Sequence, residues 1–348
     1  MKILVVGDVH FSQYSSILRS RGKNFSTRLE NMIQSLNWVE TISTEYGCNE
    51  EIFLGDFFDR SDLLQEEISA LKEIQWNHTP RIRHFIVGNH ESGIATLEYN
   101  STDVLSSVPR NDIINEPVLY SLDDKTEILF LPYITEDNRK PFAEYLTNRN
   151  PAKKLIVFSH NDIKDFQMGA FLSTTGFSVD EICQYSDLYM NGHLHNCGQV
   201  GDKIINVGNL TGQNFSEDAF KYEHHIAILD TDTMKIEYVE NPYAMNFYKI
   251  EINSESDIKE LKKIKSNAVV HIRCLDTLEN VVRSTLETLN VIASKIILVS
   301  TVSSGSIDSS VSLKCADHLK QFIDFILSRD DIDDKEIFRQ ELSEVCGQ

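Results

Sequence analysis

The amino-acid sequence predicts a layered α/β fold with its functional site along one edge of a sheet. Two observations carry this. Short apolar, β-branched runs recur along the first 210 or so residues, each ending at once in Asp, Asn or His. Between them lie longer stretches with apolar residues at three- and four-residue spacing, the period of a helix facing a core. Strands alternating with helices imply helices layered on sheets, with the strand ends gathered on one side.

Taken in order, Ile3–Val6 runs into Gly7-Asp8-Val9-His10, Ile52–Leu54 into Gly55-Asp56-Phe57-Phe58-Asp59, and Phe85–Val87 into Gly88-Asn89-His90-Glu91. Leu155–Phe158 runs into Ser159-His160, and Leu188–Met190 into Asn191-Gly192-His193-Leu194-His195. Helical periodicity covers about Phe25–Tyr46, Leu63–Trp76 and Ile94–Ser107. Further strands at Ile128–Pro132, Lys203–Val207, His225–Asp230 and Met234–Val239 complete a first domain over residues 1–242.

Residues 243–302 change character. A strand (Phe247–Ile252), a charged helix (Asp257–Ile264), a strand (Ala268–Arg273), a helix (Thr277–Asn290) and a strand (Lys295–Val299) make a small βαβαβ unit without a ligand-like cluster. Residues 303–312, rich in Ser and Gly, read as a flexible linker. Residues 313–348 read as a helical pair, Leu313–Leu327 and Asp333–Val345, with an apolar stripe through Leu319, Phe322, Ile326, Phe338 and Leu342. Such a tethered pair either packs back on its own domain or docks a partner helix.

Composition bounds the function. With 41% hydrophobic and 25% charged residues in 348, the chain is ordinary for a globular protein. No apolar run approaches the roughly 20 residues of a membrane span. The apolar N-terminus is too short for a signal peptide and is followed by Gly7-Asp8, so a cytoplasmic protein is expected. The cysteines Cys48, Cys183, Cys197, Cys274, Cys315 and Cys346 form no C-x-x-C pair, which argues against a zinc ribbon or a disulfide framework. A formal charge of −20 weighs against unaided binding to a polyanion. Bound metal ions supply local positive charge that this count leaves out.

Asp8 and His10, two residues apart at a strand end, can reach one cation together. Asp56 adds a hard oxygen able to bridge two ions, Asn89 an amide oxygen, and His160, His193 and His195 imidazoles of the kind that hold Mn²⁺, Fe²⁺ or Zn²⁺. Each has a bland alternative: a strand-end histidine is ordinarily a hydrogen-bonded surface residue, and Asp56 could cap a helix. Coincidence at five successive strand ends is a poor explanation. Two neighbouring cations can clamp the oxygens of a phosphate and stabilise in-line displacement. His90, beside Asn89, is placed to stabilise developing charge or protonate a leaving oxygen. Asp59 is expected to orient ligands from behind, and Glu91 either to do the same or to cap a helix.

The order D-x-H, G-D-x-x-D, G-N-H-[DE], a lone His, then G-H-x-H resembles the calcineurin-like metallophosphoesterases over about residues 1–240. The resemblance implies a four-layer core, two facing mixed sheets flanked by helices. It also implies one metal held by Asp8, His10, Asp56 and His195, and a second by Asp56, Asn89, His160 and His193, with Asp56 shared. Phosphoprotein phosphatases in this superfamily have Gly where this chain has Phe11 and lack the G-H-x-H ending. Cyclic-nucleotide phosphodiesterases do not need the segment after the core.

Gly192-His193-Leu194-His195 followed by Val207-Gly208-Asn209 and Asn214-Phe215-Ser216-Glu217, together with Gly169, Gly176-Phe177 and Asp180, looks more like double-strand-break repair nucleases of the SbcD and T-even phage type. That likeness implies two Mn²⁺ ions, DNA exonuclease and endonuclease activity, and a DNA-capping domain at 243–302. It further implies a homodimer through Leu63–Trp76 and Ile94–Val108, and docking of 313–348 on the coiled coil of an SMC-like ABC ATPase. Ser159 stands where Gly is common in these enzymes, and Asn209 where Ser or Thr is usual.

Overall fold

Alternate side chains of a strand leave on opposite faces, so a strand apolar at every position must be covered on both sides. In the computed structural model, which describes residues 1–300 apart from 16, 19–20, 77–80, 94–96 and 169–170, the central strands meet that requirement. The first sheet runs β16 (Lys235–Glu240), β15 (His225–Asp230), β1 (Lys2–Val6), β2 (Glu50–Phe53), β3 (Ile82–Ile86), β4 (Asn111–Ile114). Within it β1 to β4 are parallel, and β15 is antiparallel to both its neighbours. The second runs β13 (Gly198–Val200), β14 (Ile204–Asn206), β12 (Leu188–Asn191), β7 (Lys154–Ser159), β6 (Thr126–Leu131), β5 (Val118–Ser121). Here β14, β12, β7 and β6 are parallel, with antiparallel edges.

Ile3, Val5, Ile52 and Ile86 of the first sheet face Ile128, Phe130, Ile156, Phe158 and Met190 of the second, all buried in one cluster. The opposite faces are covered as the period of two requires. Leu4, Val6, Phe53 and Phe85 lie under Leu29, Met32, Leu36 and Val39 of helix α1 (Thr27–Glu45). Leu129, Leu155, Val157 and Tyr189 lie under Phe142 and under Ile182 of helix α3 (Val179–Tyr185). The result is the four-layer arrangement expected: helix, sheet, sheet, helix.

Helix α1 is joined to the sheet through buried charge. Arg83 on β3 reaches Glu40 of α1 at 2.9 Å and Glu51 of β2 at 2.9 Å, while Arg81 pairs with Glu51 at 2.7 Å and Glu40 at 3.1 Å. Removing one member of such a buried set leaves an uncompensated charge and costs about 3–5 kcal/mol.

Helical periodicity over Leu63–Trp76 is realised in part, as a short helix, α2 (Gln65–Ala70), followed by a 3₁₀ turn, Leu71–Glu73. The backbone turns extended at Ile74, which sinks that side chain and Trp76 into the core instead of continuing along a helix face. The segment predicted as a helix from Ile94 is a 3₁₀ helix over Ser101–Ser107, with residues 94–96 outside the described residues. The charged segment at Asp257–Ile264 is likewise 3₁₀, over Glu255–Lys263, begun where Asp257 accepts from the backbone N–H and the hydroxyl of Ser254. Strands β4, β5 and β13 carry little apolar periodicity, being edges or next to edges, and the sequence pattern passed over them.

A third sheet joins β17 (Asn246–Ile252), β18 (Ala268–Leu275) and β19 (Val291–Val299), backed by helix α4 (Glu279–Glu287). One face, with Phe247 and Val269, packs against Phe215 and Leu18. The backbone N–H groups of Gly212 and Ala219 donate to Met245 and Phe247 carbonyls at 3.1 Å each, which fixes the loop between them. No helix among the described residues is long and apolar enough to cross a membrane. The expected linker at 303–312 and helical pair at 313–348 lie outside the described residues.

Candidate metal centre

Parallel strands end on the same side, so β1, β2 and β3 of one sheet and β7 and β12 of the other deliver their following loops to one place. Asp8, His10, Asp56, Asn89, His160, His193 and His195 all converge there. Among the described residues, three groups hold donor atoms within 4.8 Å of one another: Asp8, His10 and His195; Asp56, His160 and His193; and His10, Asp56 and His90.

The loops are forced into this shape. His10, Asp56 and His193 have φ of 50°, 46° and 71°, a left-handed backbone that costs a side-chain-bearing residue about 1–3 kcal/mol. Hydrogen bonds hold it. The N–H of His10 donates to the Asp56 carbonyl at 2.9 Å, that of His193 to Asp8 Oδ1 at 2.9 Å, and that of His90 to Asp56 Oδ1 at 3.0 Å. Two glycines make room: a Cβ at Gly55, itself at φ +99°, would lie 2.3 Å from His160 Nδ1, and one at Gly88 would lie 2.1 Å from Asp56 Oδ1.

Each of the four candidate ligand histidines has one ring nitrogen turned outward to a fixed acceptor. His10 Nδ1 meets Asp59 Oδ1 at 3.1 Å, His160 Nδ1 the Leu54 carbonyl at 2.7 Å, His193 Nε2 Asp162 Oδ1 at 3.2 Å, and His195 Nδ1 Glu217 Oε1 at 3.0 Å. An outward N–H leaves the inward nitrogen of a neutral imidazole with its lone pair facing the centre. There His10 Nε2 and His195 Nε2 stand 3.1 Å apart. Asn89 Oδ1 lies 3.1 Å from His160 Nε2 and 3.0 Å from His193 Nδ1, and His160 Nε2 is 3.1 Å from Asp56 Oδ2. Asp8 Oδ2 is buried with no hydrogen-bond partner. Converging lone pairs and an orphaned carboxylate oxygen repel one another unless positive charge sits among them, so these residues fit a pair of divalent cations.

Without a cation the same anionic field draws a proton onto His160, in the place a metal ion would take. Burial should lower the pKa of His160, yet Asp56, with Asp8 behind it, pushes it up to about 10. Asp56, despite burial, is held far below the usual carboxylate range by His160 and His10. Burial would raise Asp59 and Glu217, but His10 and His195 respectively bring both below their ordinary values. Asp162 is lowered by its bond to His193. The carboxylates behind the ring are therefore charged at neutral pH and hold the imidazoles in orientation.

Asp59 Oδ1 stands behind the His10 ring, 3.1 Å from its Nδ1. Glu91 caps no helix: its buried carboxylate accepts from the N–H groups of Gly88, Phe58 and Asp56 at 2.6, 2.9 and 3.2 Å and so ties two ligand loops together. His90 lies at the rim with its side chain 41% exposed, its Nδ1 donating to the Asp59 carbonyl at 3.0 Å and its Nε2 3.9 Å from Asp56 Oδ2. Sequence reasoning missed Asp162 and Glu217. Asp162 follows His160 at the same two-residue spacing as D-x-H, which was a usable signal; Glu217, distant in sequence, stood out only within Asn214-Phe215-Ser216-Glu217 and not as a partner of His195. Ser159, unusual at its position, accepts from the Tyr189 hydroxyl at 2.8 Å and from Asn161 Nδ2 at 3.0 Å, so it ties β7 to β12 beneath the site.

The sequence profile of the calcineurin-like phosphoesterases matches residues 1–197. No curated protein matches the chain. Solved structures similar to it include a dimetal phosphatase from Danio rerio, 13% identical over 69% of this chain and 99% of that one at a TM-score of 0.42. The protein TT1561 of Thermus thermophilus is 11% identical over 69% and 98%, at 0.40. Yfce, a phosphoesterase from E. coli, is 14% identical over 69% and 100%, at 0.30.

Outer carboxylates that fix a ligating histidine typically contribute about 10–100-fold to metal affinity. Calorimetric titration with Mn²⁺ should therefore show Glu217→Ala weakening one binding step by that factor and Asp162→Ala weakening the other. Unchanged affinity in both variants would remove these residues from the metal centre.

Proposed function

We propose that this chain, which belongs to the calcineurin-like phosphoesterase family, is a Mn²⁺-dependent DNA nuclease. It acts as an exonuclease on duplex ends and an endonuclease on single strands, within an SMC-like ATPase–nuclease complex of DNA repair and recombination. The observation that carries this reading is that the metal centre has a hollow on each side. One of about 380 Å³ opens beside Asn89, and one of about 810 Å³ opens along His193–Val200, Ser216 and Glu217. A phosphomonoester needs room for one substituent, whereas a diester within a strand needs room on both sides of the phosphorus.

Asp8, His10, Asp56 and His195 would hold one ion, and Asp56, Asn89, His160 and His193 the other. Bound divalent cations supply Lewis-acid charge for the phosphoryl oxygens and for attack by water. The remaining work falls to side chains. Asp59, Asp162, Glu217 and the Leu54 carbonyl keep the imidazoles aimed. His90, whose Nδ1–H is committed to the Asp59 carbonyl, can carry a second proton at Nε2 for the leaving oxygen.

A chain with a formal charge of −20 needs a partner to hold duplex DNA. We assign that role to the ATPase, docked on residues 313–348, and a capping role to residues 243–302. An apolar groove of about 290 Å³ lined by Leu71, Ile74, Trp76, Val104 and Val108 favours a homodimer through this face, which gives a heterotetramer with the ATPase.

Two experiments test the reading. His90→Ala should retain both Mn²⁺ ions but cleave single-stranded circles and linear duplex about 10²-fold more slowly or worse. Loss of an ion would make His90 a ligand, and full activity would remove it from catalysis. A chain ending at Val302 should keep Mn²⁺-dependent hydrolysis of bis(p-nitrophenyl) phosphate and lose association with the ATPase in pull-down. Normal association would place the docking surface elsewhere.

A further inference from the structure

We propose that the hollow beside Asn89 is a nucleoside subsite, which takes the base next to the scissile phosphate against the ring of Tyr133. The proposal rests on the nuclease reading above and names the part of the substrate that this side of the centre recognises.

Position is the first argument. Asn89, whose amide oxygen touches His160 and His193, forms one wall of the hollow, so a group seated there is joined directly to whatever occupies the metal centre. Tyr133, on another wall, has its ring centroid 5.9 Å from that of His193 at an interplanar angle of 41°. The volume, about 380 Å³, lies in the range of small-molecule sites, about 300–1,000 Å³.

Rigidity is the second. The Tyr133 N–H donates to the Val87 carbonyl at 3.0 Å, just before the loop that carries Asn89. The next residue, Ile134, donates its N–H to Asn161 Oδ1 at 2.9 Å, beside His160. The Tyr133 backbone is thus pinned to two loops of the centre, and its ring lies beside that of His193.

Chemistry is the third. Aromatic rings stack on any base at about 1–3 kcal/mol each. The amides of Asn115 and Asn138, also in the lining, can both donate to and accept from a base edge. Lys140, exposed on the same rim, has its backbone N–H held by the Tyr145 hydroxyl at 3.1 Å and offers a cation to a neighbouring phosphate. Glu116 on the rim would repel a phosphate but accept from an exocyclic amine, which favours a base over a second phosphate inside the hollow.

The test uses the full chain with Mn²⁺ and a short single-stranded oligonucleotide having one cleavable phosphodiester, its other linkages being methylphosphonates. The base 5′ or 3′ to that bond is deleted in two further substrates. One deletion should lower wild-type kcat/KM about tenfold or more, the size of one lost stack. Tyr133→Ala should lose a similar factor on the intact substrate and no more on the deleted one, while Tyr133→Phe should match wild type. Tyr133→Leu replaces the Ala variant if the latter fails to bind Mn²⁺ normally. Equal cleavage of intact substrate by Tyr133→Ala and wild type, or an equal loss on all three substrates, would overturn the subsite alone. A wild-type chain that binds Mn²⁺ and hydrolyses a phosphomonoester but none of these oligonucleotides would overturn the nuclease reading and the subsite with it.

Discussion

The structure depends on a concentration of lone pairs that only positive charge can reconcile. His10 Nε2 and His195 Nε2 face each other at 3.1 Å, the Asn89 oxygen faces two imidazoles, and Asp8 Oδ2 is buried without a partner. Left to relax, such groups would turn away or take up protons. They stay because each ring is anchored behind, to Asp59, Leu54, Asp162 or Glu217, and because left-handed backbone at His10, Asp56 and His193 is locked by hydrogen bonds between loops. The fold supplies the stiffness: two sheets, buried on both faces, end their parallel strands at the same place.

Much of this was legible in the sequence because strands and ligands share a local grammar. An apolar run stopping at Gly-Asp or Gly-Asn-His announces both a strand and its end. The glycines are spatial requirements, since a side chain at Gly55 or Gly88 would collide with His160 or Asp56. Candidate ligands from five separate strand ends could therefore be named before their distances were known. Less legible were groups whose role depends on tertiary contact. Glu217 belongs to a loop fastened to β17 and reaches His195 from across the site. Glu91 reads equally as a helix cap or as a support behind the ligands, and only the folded chain shows that it serves three backbone N–H groups. The short helices were overextended for a related reason: Ile74 and Trp76 satisfy helical spacing and are buried, but the chain has already left the helix, with extended backbone at Ile74.

The acidic composition looks different once its carboxylates are placed. Asp8 and Asp56 face the candidate cation site, Asp59, Asp162 and Glu217 hydrogen-bond its histidines, and Glu40 and Glu51 neutralise Arg81 and Arg83 in the core. Much of the remaining negative charge is free to repel a polyanion, which is why the proposed division of labour gives long-range DNA binding to a partner. Short-range recognition can stay with this chain, because stacking at Tyr133 does not depend on net charge.

The central claim is that two ions share Asp56. Electron paramagnetic resonance during Mn²⁺ titration tests it most directly. Filling the second site should replace the six-line spectrum of an isolated ion with the broadened spectrum of an exchange-coupled pair, and Asp56→Asn should abolish the coupling. Saturation at one ion, or two ions that remain magnetically independent in the unaltered protein, would contradict the account.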